Sequence, residues 1–100
     1  MKIQIRSRGM TLTEKQCVQL EHDLTLLLAR FGERIDRVSV TITPAPEAGF
    51  KCCEIEIRMK PQIVRVVHSD PDVLVAVGHA AQRAARSVGR AIDNERLAGR

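Results

Sequence analysis

Residues 70–92, DPDVLVAVGHAAQRAARSVGRAI, decide how the rest of the chain folds. Between Val73 and Ile92 there is no Asp or Glu, while Arg83, Arg86 and Arg90 recur at spacings of three and four. At 3.6 residues per turn those arginines share one helix face with His79, and Val73, Val77, Ala81, Ala84, Val88 and Ile92 share another. Asp70 is the predicted N-cap. Pro71 then suits the first helical position, where its missing N–H costs nothing, and Asp72 meets the positive end of the helix dipole. The result is an amphipathic helix with one side for a core and one side of unbalanced positive charge. Plain solvated charge is the competing reading of such a face.

The segments before this helix supply the core it covers. Lys2 to Arg8 sets Ile3 and Ile5 against Gln4, Arg6 and Arg8, the period-two pattern of a half-buried strand. Thr13 followed by Gln16 is a capping box, and Leu12 is placed to staple onto Cys17, so a helix starts near Glu14. Cys17, Leu20, Leu24, Leu27, Leu28 and Phe31 form its apolar stripe, and Gly32 is the expected C-cap. Ile35 to Thr43 alternates Val38, Val40 and Ile42 with Arg37, Ser39 and Thr41. Phe50 to Lys60 alternates Cys53, Ile55, Ile57 and Met59 with Cys52, Glu54, Glu56 and Arg58, and Pro61 marks the next turn. Ile63 to His68 is a last strand; with Val64 and Val66 inward, Ile63 and Val67 face solvent, a tolerated pair or a contact surface. Every strand before it has a single apolar face. The order predicts an α+β fold, βαβββα, with a four-stranded sheet carrying both helices on one face and leaving the other wet. Gly78, Gln82, Ala85 and Gly89 line one flank of the last helix and are expected to let the first helix approach closely.

One hundred residues with 44% hydrophobic content make a single domain, residues 1–100, with its core over about 2–95. Phe31 and Phe50 are the only aromatics, which nearly excludes a base-stacking platform and directs any nucleic-acid contact to phosphate. The net charge is +4 and uneven: residues 1–9 hold Lys2, Arg6 and Arg8 with no acid. The first strand and last helix thus carry the basic excess, which favours an anionic partner such as RNA. Cys17, Cys52 and Cys53 are an odd number without metal-ligand spacing, so reduced thiols and no metal site are expected. The opening MKIQIRSRG has no hydrophobic run of signal-peptide or membrane-spanning length, and the chain is expected to be cytoplasmic, with no membrane partner.

The scattered glycines make no phosphate loop, and no cofactor is expected. His22, His68 and His79 lie in separate elements without a nucleophile motif beside them; His79 is retained as a pH-dependent fourth cation of the arginine face. Glu54 and Glu56 share one strand face, where Arg58 and Arg65 can neutralise them, so charge pairing outweighs acid–base catalysis. The chain is therefore not expected to be an enzyme.

Three segments, IQIRSRGMTLTE, LLARFGERIDRVSV and HSDPDVLVAVGHAA, resemble in order and spacing the ribosome hibernation promoting factor and ribosome-associated inhibitor family, also called sigma-54 modulation proteins. The resemblance covers about residues 2–95. It implies a βαβββα domain akin to the double-stranded-RNA-binding fold, placed on the small ribosomal subunit in the mRNA and tRNA channel, where it blocks translation in dormant cells. Arg8 matches a frequently basic position after the first strand, Thr13 the helix-starting threonine, and Asp72 with Ala76 part of a D-x-Y-x-A-I-D signature. Leu74 stands where that signature has its tyrosine and Gly78 where it has its second acid. The basic tail of the last helix is thinned to Arg90, Arg96 and Arg100, with Asp93 and Glu95 among them. The second, dimerising domain of long family members is not expected.

The expected function is a ribosome-associated translation inhibitor that binds phosphates of small-subunit ribosomal RNA through Arg6, Arg8, His79, Arg83, Arg86 and Arg90. The alternative is a diverged domain of the same fold acting as a protein-interaction module. A monomer is expected, with a weak homodimer through the edge strand as the alternative assembly.

Overall fold

The computed structural model describes residues Met1–Ala98. Its elements run β1 (Lys2–Ser7), α1 (Glu14–Leu28), a 3-10 segment (Ala29–Arg34), β2 (Ile35–Pro44), β3 (Lys51–Met59), β4 (Ile63–Asp70) and α2 (Val73–Ala98). The order βαβββα is the one expected. The sheet runs β1-β2-β3-β4. β1 pairs in parallel with β2, and β2, β3 and β4 form an antiparallel meander. A parallel neighbour requires a crossover, and α1 supplies it.

Strand alternation sorts the two faces as expected. Val38, Val40, Ile42, Cys53, Ile55 and Ile57 are fully buried against Leu24, Leu28, Ala80, Ala84 and Val88 of the helices. Val66 is buried, Val64 is half-buried, and Ile63 and Val67 face outward with about half their surface exposed (54% and 50%). On the open face Arg65 bonds Glu56 at 2.6 Å and Glu54 at 3.3 Å, which assigns both carboxylates to cross-strand charge pairing. The Glu56 bond and charge, and then Glu54, push the Arg65 pKa up from its ordinary value. Among the described residues no helix is long and apolar enough to cross a membrane.

Three local expectations change. The N-cap of α2 is Asp72, whose Oδ1 accepts from the Leu74 and Val75 amides at 2.8 and 3.3 Å. Asp70 sits two residues earlier and accepts from the Asp72 amide at 2.8 Å, so Pro71 lies just outside the helix. α1 starts with the Thr13/Gln16 capping box, present in both directions, but its last turn tightens into the 3-10 segment from Ala29. Gly32 lies inside that segment at φ +53°, ψ −128°, a conformation that a Cβ opposes, and so reverses the chain rather than capping α1. Close approach at the small residues of α2 is seen at Gly89 and not at Gly78. A Cβ on Gly89 would stand 4.0 Å from the Phe31 ring, whereas one on Gly78 would meet nothing within 4 Å. A groove of about 270 Å³ opens there between Leu20, Leu24 and Leu27 on α1 and Leu74, Val77 and Gly78 on α2.

The cysteines divide by burial: Cys53 is fully buried, and Cys17 and Cys52 are half-buried. Burial first, then the charges of Cys52 and Glu54, push the Cys53 thiol up to about 12 from 9.0. The unfolded chain ionises this thiol at lower pH than the folded one, so its contribution to stability is present below pH 9.0 and is lost as pH rises from there to about 12. Cys53→Ser is expected to cost about 1–3 kcal/mol through an unpartnered buried hydroxyl, and Cys52→Ser much less. Equal melting temperatures for the two variants would put the wrong face of β3 inside.

Candidate nucleic-acid interface

The basic stripe of α2 is built by the helix period and by the sheet beneath it. Val73, Ala76, Val77, Ala80, Ala81, Ala84, Ala85, Val88 and Ile92 are buried, which fixes the rotation of α2 about its axis. The flank with Gly78, Gln82 and Gly89 faces α1. The exposed side away from that flank carries His79, Arg83, Arg86 and Arg90, of which His79 and Arg83 reach the β4 strand. The spacing therefore brings these four together as expected.

The structure also ties part of the stripe down. Arg83 donates from Nη1 to the Val67 carbonyl at 2.9 Å, occupying a backbone acceptor of the edge strand. His79 packs on His68, with ring centroids 5.0 Å apart, so a β4 side chain that the sequence placed only at a strand end belongs to this surface. Arg90 makes a long contact to Ser87 Oγ at 3.4 Å. Among the described residues none of Arg83, Arg86 and Arg90 pairs with a carboxylate; the acids that are paired belong to Arg65, to Arg34 with Glu95, and to His22 with Asp23. Arg83 is thus partly structural, and Arg86 and Arg90 keep most of their donors for a ligand. A planar guanidinium fork suits phosphate oxygens better than a point charge does.

Arg6 and Arg8 lie elsewhere. Arg6 alternates with the inward Ile3 and Ile5, so it stands on the open face of the sheet, opposite Thr41 of β2. Arg8 follows β1 at its end, its amide bonded to the Ile42 carbonyl at 2.9 Å. The six residues named from the sequence are thus not brought together: the sheet lies between Arg6 and the α2 stripe, and Arg8 follows the end of β1. The sequence reading also passed over Arg37, which lines the same open-face depression as Arg6. Strand alternation marked it as outward, but only the β1–β2 register shows which side chains it joins. Phe31 is half-buried beneath Arg30, whose guanidinium carbon lies 4.7 Å from the ring centroid, so this ring is already covered on one face.

Comparison with solved structures shows the same architecture. The chain is similar to a ribosomal subunit interface protein from Coxiella burnetii, with TM-score 0.82 and 12% identity, over 93% of this chain and 99% of that one. It is also similar to the N-terminal domain of Protein Y from Thermus thermophilus, with TM-score 0.75 and 24% identity, over 90% and 98% of the two chains. No curated protein matches it in sequence. The family model for sigma 54 modulation protein / S30EA ribosomal protein matches residues 3–96, nearly the whole βαβββα unit, and this chain belongs to that family.

Proposed function

We propose that this protein is a non-enzymatic, cytoplasmic ribosome-associated factor that lays the α2 stripe on phosphates of small-subunit ribosomal RNA. The position in the mRNA and tRNA channel, and inhibition of translation from it, are carried over from the hibernation factors that the sequence resembles. The observation that supports RNA contact is the alignment of Arg86 and Arg90 with His79 and Arg83 on one exposed flank without a carboxylate partner. Phosphate contact supplies the sequence-independent part of such binding, and a convex helix flank has the shape to deliver it. Pairing of two copies through β4 is less favoured. Arg83 occupies the Val67 carbonyl, and edge-to-edge pairing would bring two α2 stripes of like charge together. The test is co-sedimentation with separated ribosomal subunits at low salt. The protein is expected to pellet with small subunits and to stay in solution with large ones; failure to pellet with either would return the fold to the role of a protein-interaction module.

A further inference from the structure

We propose a second phosphate site on the open face of the sheet, centred on Arg6 and Arg37, through which the protein holds a second RNA backbone. The inference rests on the reading of this chain as an RNA-binding factor. β1 and β2 place Gln4 opposite Ser39 and Arg6 opposite Thr41, and these four with Arg37 line a depression of about 190 Å³. Two guanidiniums share it with one amide and two hydroxyls. No carboxylate lines it; Glu54 and Glu56, opposite Thr41 and Ser39 on the same face, are paired with Arg65, and the lining groups are the side-chain types that contact phosphate oxygens in nucleic-acid complexes. The same register sets Lys2 opposite Arg37 and Arg37 opposite Arg58, a row of three cations across three strands. Like charges directly opposite destabilise a sheet. Among the described residues none of Lys2, Arg6, Arg37 and Arg58 pairs with an acid, in contrast to Arg65 on the same face. A polyanion lying across the row relieves that repulsion. α2 packs on the opposite face of the sheet, over β3 and β4. The protein therefore presents cations on both its layers and is shaped to sit between two backbones rather than on one.

The experiment is a titration of the isotope-labelled full chain with a short RNA duplex, followed by backbone amide resonances. Three proteins are compared: wild type, Arg6→Gln/Arg37→Gln, and Arg86→Glu/Arg90→Glu. Saturable shifts at Gln4, Ser39 and Thr41 are expected in wild type and in the α2 variant, and their disappearance in the Arg6/Arg37 variant. That variant should also lower the slope of log affinity against log salt by about 0.7–0.9 for each phosphate it no longer binds. Shifts confined to α2 would overturn the open-face site and leave the α2 interface standing. Shifts confined to the open face would do the reverse. Equal shifts with polyglutamate would assign the face to an acidic protein and overturn the phosphate reading. Unchanged dispersion of the remaining resonances shows that each variant is folded.

Discussion

Leu24→Ala is expected to destabilise the protein by about 2–5 kcal/mol, the transfer cost of the deleted atoms plus that of the cavity left behind. Leu24 is 1% exposed at the centre of the α1 stripe, packed into the cluster that joins both helices to the sheet. Leu26, two residues on, is 65% exposed, and its truncation should change stability by no more than about 0.5 kcal/mol. In a chain of this size each kcal/mol moves the melting temperature by about 4–8 °C. Thermal unfolding followed by circular dichroism should therefore give Leu24→Ala a clearly lower melting temperature than Leu26→Ala. Similar melting temperatures would mean that α1 is rotated about its axis relative to the sheet.

Arg86→Glu combined with Arg90→Glu should have the opposite profile, with a large drop in binding and an almost unchanged fold. A hydrogen bond to a charged group contributes about 1.5–3 kcal/mol, so removing two and adding repulsion should weaken binding to small ribosomal subunits by about 100-fold or more. Both residues are exposed, and neither forms an ion pair among the described residues. Stability should therefore shift by only about 0.5 kcal/mol per site. Arg83→Ala is a different case, because its guanidinium also holds the Val67 carbonyl. A drop in binding accompanied by an equal drop in folded protein in the double variant would make these arginines part of the scaffold.

The fold was legible in the sequence because β1, β2 and β3 are each apolar on one side only and each helix buries one continuous apolar side; β4, with Ile63 and Val67 outward, is the exception. Residue order along β2 and β3 alone distinguishes Val38, Val40, Ile55 and Ile57 from Arg37, Ser39, Glu54 and Glu56. The cap of α2 was less legible, since Asp70 and Asp72 flank Pro71 symmetrically and both carboxylates accept backbone amides; geometry gives the helix to Asp72. The groove beside Gly78 depends on how far two helices diverge, which no local pattern encodes. For the site, the helix period was sufficient to align His79, Arg83, Arg86 and Arg90. It could not show that the Arg83 guanidinium reaches a backbone carbonyl sixteen residues away. The position of Arg6 was partly legible: a residue that alternates with Ile3 and Ile5 cannot join the helix layer if both helices cover the apolar face. Its neighbours were not, because the parallel pairing of β1 with β2 is set by the α1 crossover rather than by alternation within either strand.

Recognition of RNA phosphate by α2 is tested most directly by the salt dependence of binding to small ribosomal subunits, measured for wild type, Arg86→Ala and Arg90→Ala. Counterion release makes log affinity fall linearly with log salt, with a slope of about 0.7–0.9 per phosphate bound. Wild type should bind with a steep negative slope, and each alanine variant should flatten it by the equivalent of about one phosphate. A shallow slope in wild type, or variants with its full slope, would contradict phosphate recognition by this helix.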